Sequence, residues 1–285
     1  MRETRARYLR TSAGVCIPRH STYFYVVQAS PGDKAGLSRS GASDTLATNI
    51  DLSIAAMMPI LNFQPWICEP DSPDVVALFL QRGHKRHFAR NEVFKIGRPS
   101  SEIYYLQTGV IVLYVEEGVW FENPRAFSVF LPGRVLGAVR SISTRPSKLH
   151  ARVLRNVDAL AIPSVEFRAS ILADDRMHLA ATYDIMSKQG TQNEGLLTNL
   201  LLDPPERLVV LLQAIFAAHR RDMRAGWNPV PLDLLTHEYG AIVHTTRITV
   251  SRVFGGWQRE GLLRRIGRRL EVNSALFEVP RYKMA

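Results

Sequence analysis

Arginine dominates the chain between His244 and Leu270. Seven arginines and a single glutamate occupy this stretch, in a chain of 285 residues whose formal net charge is +10. A guanidinium group donates two parallel hydrogen bonds to guanine O6 and N7, or to a phosphate. The residue types in this stretch therefore predict contact with a nucleic acid.

Two short helices and a hairpin are predicted to position these arginines. The first helix runs from about His237 to Val243, and His244 and Thr245 form the turn after it. Thr246 is a good N-cap for the second helix, because its hydroxyl can accept a hydrogen bond from a free backbone amide. The spacing i, i+3, i+4 and i+7 predicts a buried face on this helix, formed by Val250, Val253, Phe254 and Trp257.

The opposite face of the second helix is predicted to be exposed. It presents Arg247, Ile248, Ser251, Arg252 and Gly255. A hairpin then follows, in which Gly267 turns the chain between two short basic strands. A capped helix pair with a polar face and a basic hairpin, in this order, is typical of a winged helix-turn-helix, whereas a lone amphipathic basic helix would be a solvated surface. The predicted DNA contacts are Thr246, Arg247, Ile248, Thr249, Ser251 and Arg252 from the helix, and Arg264, Arg265 and Arg268 from the hairpin.

The stretch EYGAIVHTTRITVSRVFGGWQREGLL, together with ARNEVFKIGRPSSEIYYLQTGVIVLYV nearer the N-terminus, resembles the Crp/Fnr superfamily of bacterial transcription regulators. The resemblance covers about His84 to Phe277. It implies an α+β fold with an N-terminal β-roll (a double-stranded β-helix or jelly roll), a long dimerisation helix and a C-terminal winged helix-turn-helix. It also implies a homodimer on double-stranded DNA, base reading by Arg247 and Arg252, and contact with RNA polymerase if the protein activates transcription.

Two residues depart from the family's pattern. Ile248 stands where glutamate is frequent, and isoleucine cannot accept a hydrogen bond from cytosine N4, although it can contact a thymine methyl group. His244 replaces the glycine usual in the turn, so either this residue adopts a strained positive φ or the turn is shifted.

The centre of the chain supports the same architecture. Between His84 and Ile162, six short apolar runs separated by turn residues predict a small jelly roll: EVFKI, EIYYLQ, VIVLYV, AFSVFL, LHARVLR and VDALAI. After Pro163 the pattern becomes helical, with a/d spacing at Leu179, Tyr183, Met186, Gly190, Asn193, Leu197 and Leu200. This spacing favours a helix that pairs with a second copy, and the alternative is a helix packed on its own domain. A further amphipathic helix is predicted from Glu206 to Arg220.

The resemblance also locates an effector pocket, which departs from the cyclic-nucleotide-binding pattern. Ala138, after Gly137, stands where a glutamate would hold the ribose, and Ser147 with Lys148 stands where an arginine pair would hold the phosphate. Gln192 and Asn193 fall where the long helix meets the base. We therefore expect a degenerate pocket that does not bind cyclic AMP in the usual mode. The effector is unknown, and a β-roll without any small ligand is an alternative.

Other functional classes are disfavoured by the composition. Cys16 and Cys68 are the only cysteines, which excludes a four-cysteine iron–sulfur cluster, and both fall outside the recognisable β-roll. Haem or redox sensing remains an alternative, with His84, His87, His150 and His178 as candidate axial ligands. No spacing assembles a catalytic site or a metal site, so no enzyme is expected. A non-specific basic protein that binds RNA or membrane is a further alternative.

The predicted domains are a basic extension (1–56), a β-roll (57–163), a dimerisation helix (164–202) and a winged helix-turn-helix (203–285). The extension is expected to be mobile apart from a short docking strand at Tyr23 to Val27, unless the true start is Met57 or Met58. No apolar run is long enough to span a bilayer, so the expected location is the cytoplasm.

Overall fold

The computed structural model describes residues 9–10, 16–17, 61, 63–96, 102–115, 125–139, 149–267 and 269–278. The chain divides into two units, Met1–Thr48 and Asn49–Ala285. In the first unit, β1 (Leu9–Arg10) pairs antiparallel with β2 (Cys16–Ile17). The predicted docking strand at Tyr23 to Val27 lies outside the described residues, as does most of the predicted extension.

The second unit contains a β-roll built from two four-stranded antiparallel sheets. Helix α1 (Pro73–Arg82) precedes it. Its strands are β3 (His84–Phe88), β4 (Val93–Lys95), β5 (Glu102–Leu106), β6 (Val110–Val115), β7 (Ala126–Phe130), β8 (Val135–Leu136), β9 (Leu149–Arg155) and β10 (Val157–Pro163). The strand orders are β3-β10-β5-β8 and β4-β9-β6-β7. All six predicted strands are present, β3 and β8 are two further strands, and α1 is a helix that the sequence patterns did not indicate.

Cys68 lies inside the β-roll, which corrects the expectation that both cysteines fall outside it. Its side chain is buried in the core with Ile111, Leu136 and Val153. Burial raises the pKa of the Cys68 thiol to about 12, because the thiolate would lose its hydration there. A thiol that is both enclosed and protonated is a poor nucleophile, so Cys68 is a core residue.

Two helices follow the β-roll, α2 (Ser164–Leu172) and α3 (Asp175–Leu201), separated by a break at Ala173. Asp174 caps α3 by accepting hydrogen bonds from the backbone amides of Arg176 and Met177. The buried face of α3 consists mostly of polar and small residues: Ala181, Asp184, Ser187, Lys188, Gly190, Thr191, Glu194, Gly195 and Thr198. Most of its large apolar side chains are exposed instead: Leu179, Tyr183, Met186, Leu196, Leu200 and Leu201.

The glycines of α3 make room for an aromatic segment that crosses the helix. A Cβ atom at Gly190 would lie 2.5 Å from the ring of Phe63, and one at Gly195 would lie 2.5 Å from Cδ1 of Trp66. Trp66 is fully buried, and its backbone amide donates to the carbonyl oxygen of Thr191. Gly190 is therefore covered by the chain's own Phe63, although the a/d spacing had placed it on the exposed seam of the helix.

The C-terminal part of the chain shares a hydrophobic core with the β-roll, in which Ile242 and Val250 cluster with Val112 and Leu154. It contains α4 (Pro204–Ala218), β11 (Trp227–Pro229), α5 (Thr236–Ile242), α6 (Arg247–Arg259), β12 (Leu263–Ile266), β13 (Arg269–Asn273) and a 3₁₀ turn (Ser274–Glu278). The three strands form a sheet in the order β11-β13-β12. The predicted helices and hairpin are present, and β11 is an additional strand. No helix within the described residues is long and apolar enough to cross a membrane.

Candidate nucleic-acid interface

Helices α5 and α6 form a compact helix-turn-helix. Thr246 caps α6, because its Oγ1 accepts a hydrogen bond from the backbone amide of Thr249 at 3.1 Å. The rings of Tyr239 and Phe254 meet edge to face with their centroids 5.3 Å apart. A Cβ atom at Gly240 would lie 2.8 Å from the carbonyl oxygen of Thr245, so glycine lets α5 approach the turn closely. The N-cap and the core face of α6 are thus as predicted, with Val253 only partly buried.

The turn between the helices is present, and His244 adopts a strained backbone conformation in it. Its φ is +50°, which is the left-handed region that glycine adopts at lower cost. The His244 Nε2 atom lies 2.9 Å from the carbonyl oxygen of Ala126 in β7. Burial lowers the pKa of His244, and the nearby Arg125 and Arg207 act in the same direction. Of the two alternatives for this turn, the strained residue is the one observed.

The exposed stripe of α6 contains Arg247, Ile248, Ser251 and Arg252, all open to solvent. Successive helical positions 100° apart place these four side chains on one side of α6, opposite buried Val250 and Trp257. Neither arginine forms an ion pair within the described part of the chain. Two guanidinium groups are therefore free to bind an anion or a base edge.

The hairpin after α6 adds a second basic surface. Gly267 has a φ of +59° and ends β12, and the two strands pair from Leu263 with Val272 to Ile266 with Arg269. The predicted contact Arg264 is held by Glu271, with Nε 2.8 Å from the carboxylate, and its guanidinium lies 4.2 Å from the centroid of the Trp227 ring. Arg265 and Arg269 are exposed, and Arg268 lies outside the described residues.

A comparison with protein-family models matches this region over residues 206–275, to the Crp-like helix-turn-helix domain. Residues 206–275 are a Crp-like helix-turn-helix domain. The matched range runs from α4 through α5 and α6 to the hairpin. In such a domain α6 is the recognition helix, the second helix of the motif, which lies in the DNA major groove.

Solved structures of Crp/Fnr-family regulators and related proteins have a similar fold over about 70% of the chain. The c-di-GMP-responsive global regulator CLP of Xanthomonas campestris is 18% identical, with a TM-score of 0.59 over 71% of this chain and 100% of CLP. FixK2 of Bradyrhizobium japonicum is also 18% identical, with a TM-score of 0.60 over 72% and 98%. TTHA1359 of Thermus thermophilus, a Crp/Fnr-family regulator, is 16% identical, with a TM-score of 0.55 over 70% and 100%. No curated protein matches the sequence significantly.

Between the described residues, the expected effector pocket is a small cavity. The cavity at that place has a volume of about 40 Å³, and Gly137, Ala138 and Gln192 line it. The amide of Gln192 donates to the hydroxyl of Ser128 at 3.3 Å. Ligand pockets measure roughly 300 Å³ or more, and this cavity has room for only a few water molecules, about three.

A buried ion pair beside the cavity was missed by the sequence patterns. Lys188 of α3 lines the cavity and donates to the carboxylate of Asp71, and both side chains are almost fully buried. The same carboxylate accepts a hydrogen bond from the backbone amide of Val135 at 2.7 Å. Burial raises the pKa of Asp71, and the ammonium of Lys188 opposes that shift. The pair thus fixes α3 against the β-roll at the wall of the cavity.

The other predicted pocket residues are not seen at the cavity among the described residues. Asn193 is exposed and does not line the cavity, and Ser147 and Lys148 lie outside the described residues. Among the candidate haem ligands, His84 pairs with Glu102 at 2.7 Å, and His87 pairs with Asp158 at 3.0 Å. The described residues contain no group of three metal-ligating side chains.

A larger cleft of about 520 Å³ separates the recognition helix from the β-roll. Tyr114 and Arg152 line it on the β-roll side, with the guanidinium 4.9 Å from the centroid of the tyrosine ring. Thr246, Arg247 and Ile248 border it on the other side. The N-terminal turn of α6 is therefore open to solvent both outward and toward the cleft.

Proposed function

We propose that this protein is a transcription regulator that binds two-fold symmetric DNA sequences as a homodimer, without requiring cyclic AMP. The exposed stripe of α6 carries the proposal. Its arginines have no ion-pair partner among the described residues, and they stand at the N-terminal half of a recognition helix in a Crp-like domain. Arg247 and Arg252 are the base readers in this proposal, and the exposed arginines of the hairpin contact phosphates.

The distribution of polar and apolar side chains on α3 supports the homodimer. A helix with polar residues inside and large apolar residues outside exposes a surface that a single copy leaves in water. Pairing with the same stripe of a second copy would bury it on both sides of a two-fold axis. Two recognition helices related by that axis then meet half-sites about one helical turn apart, roughly 34 Å.

The small cavity supports binding without cyclic AMP. The cavity holds about 40 Å³, Ala138 offers no hydrogen bond to a ribose, and Lys188 is already paired with Asp71. In this proposal the β-roll acts as a scaffold for the dimer, and α3 holds the position that a ligand would otherwise stabilise.

Sedimentation of the full-length chain tests the homodimer, both alone and with a duplex that the protein selects from a random pool. We expect a dimer that binds one duplex per two chains. The Met186→Glu/Leu200→Glu double variant places charge on the exposed stripe of α3, so it should be a monomer with at least tenfold weaker DNA binding.

Leu80→Glu is the matched control, because Leu80 is a similarly exposed leucine that belongs to α1 and not to the stripe of α3. This variant should remain a dimer with unchanged affinity. A monomeric wild-type chain, or a monomeric variant that binds the duplex as tightly as the wild type, would contradict the proposed dimer.

A further inference from the structure

Ile248 is the one large apolar side chain on the exposed stripe of α6, and 71% of its surface is accessible. Single exposed apolar residues are ordinary on protein surfaces, so exposure by itself identifies no function. Here, however, Ile248 lies at the second position of the recognition helix, between two arginines that form no ion pair with any described residue. Its position therefore gives it a direct path to DNA base edges.

The neighbours of Ile248 leave its side chain projecting. On a helix, the residues three, four and seven positions later share its side. These residues are Ser251, Arg252 and Gly255, so two of the three are small. No side chain on that side of α6 covers the isoleucine, and its branched end can approach a base closely.

The chemistry of the major groove then limits what Ile248 can read. Isoleucine has no hydrogen-bond donor or acceptor beyond its backbone, so it cannot distinguish the polar edges of guanine, cytosine or adenine. The thymine 5-methyl group is the apolar feature in this groove. We propose that Ile248 recognises the methyl group of a thymine in the same half-site as the bases that Arg247 and Arg252 contact. This inference rests on the proposed function.

The size of the effect follows from the burial of one methyl group in each half-site. Removing such a group from an apolar contact weakens binding about fourfold, and removing both from a two-fold site weakens it about fifteenfold. Deoxyuridine differs from thymidine only by this methyl group, so it isolates the contact without altering base pairing.

The experiment measures fluorescence anisotropy with a duplex that the wild-type protein selects from a random pool. Each thymine is replaced in turn by deoxyuridine at its symmetric positions in both half-sites. We expect one thymine position at which the wild type loses about fifteenfold, while Ile248→Ala binds the thymine and uracil duplexes equally. Ile266→Ala is the matched control, because this isoleucine is exposed on the hairpin, and it should keep the discrimination.

The possible outcomes distinguish failure of the thymine contact from failure of the proposed function. If every uracil duplex binds as well as the parent, or if Ile248→Ala discriminates as the wild type does, the thymine contact is wrong while sequence-specific binding stands. If Ile248→Ala instead lowers thermal stability and leaves discrimination intact, the side chain stabilises packing at the cleft beside the β-roll and does not contact thymine. If no duplex is selected, the proposed function itself is rejected.

Discussion

Arg155 at the end of β9 and Glu238 in α5 form a two-point ion pair between the β-roll and the helix-turn-helix. The Nη1–Oε1 and Nη2–Oε2 distances are 3.1 and 3.2 Å. The Glu238 carboxylate also accepts a hydrogen bond from the backbone amide of Leu235, just before α5. One carboxylate thus fixes the start of the helix-turn-helix and connects it to the β-roll.

Removing the arginine should destabilise the folded chain. In Arg155→Met, the buried carboxylate of Glu238 loses its counter-ion, and we expect a cost of about 2 kcal/mol in urea denaturation. Arg176→Met is the matched control. Its two-point pair with Asp74 is exposed on the surface, so its loss should cost less than about 1 kcal/mol. Equal costs for both variants would show that Arg155 and Glu238 are merely a surface pair.

The stability contributed by His244 should depend on pH. Because burial lowers its pKa, the folded chain binds the proton less tightly than the unfolded chain does. The contribution is therefore complete above the ordinary pKa of about 6.5 and decreases as the pH falls below that value. His244→Gln keeps an N–H donor for the carbonyl of Ala126 but does not titrate. Between pH 7.5 and 5.5 it should lose less stability than the wild type in urea denaturation, and identical losses would contradict this account.

The two glycines Gly195 and Gly256 should respond oppositely to alanine. Both lie in helices, where alanine is intrinsically favoured by roughly 1 kcal/mol. At Gly195 the new methyl group would meet Trp66 at 2.5 Å, whereas at Gly256 nothing lies within 4 Å. We expect Gly195→Ala to destabilise by about 2 kcal/mol and Gly256→Ala to stabilise by about 0.5 kcal/mol in thermal unfolding. Stabilisation in both variants would mean that the aromatic segment moves aside without cost.

Local sequence patterns account for the DNA-binding surface. The hydroxyl of Thr246, the core spacing of Val250 and Trp257, and the glycine turn at Gly267 each act within a few residues of the chain, so each was predictable from its own neighbourhood. The β-roll strands were predictable for the same reason, because alternating apolar runs between turn residues specify them.

The contacts that fix the domains relative to each other could not be predicted in this way. Gly190 looks like a weak point in a helix until Phe63, distant in sequence, is seen to occupy its place. Lys188 meets Asp71 across more than a hundred residues, and His244 meets Ala126 across a similar separation. No periodicity in one sequence encodes such pairs, because the two partners lie more than a hundred residues apart.

The two arginines on the exposed stripe of α6 should determine the preference for one DNA sequence over another. In Arg247→Ala or Arg252→Ala, the side chain that pairs with a base is lost while the core of α6 remains, so the preference for the selected duplex over random DNA should disappear. Dimerisation should be unchanged. Competition binding at fixed salt measures both affinities. An equal loss on selected and random DNA would identify the arginines as phosphate contacts only.

Restoring a glutamate in the small cavity should not create a cyclic-AMP site. Ala138→Glu supplies a ribose acceptor, but the space for the nucleotide is absent and Lys188 is engaged by Asp71. Calorimetry should detect no binding to the wild type or to the variant. Micromolar binding to either protein would show that the cavity opens.

Selection of DNA from a random duplex library by the purified full-length chain, with and without cyclic AMP at one salt concentration, tests whether the protein binds a specific sequence without the nucleotide. We expect the same two-fold motif under both conditions, with half-sites about one helical turn apart. A motif that emerges only with cyclic AMP would contradict the nucleotide-independent scaffold, and the absence of any motif under both conditions would contradict sequence-specific regulation.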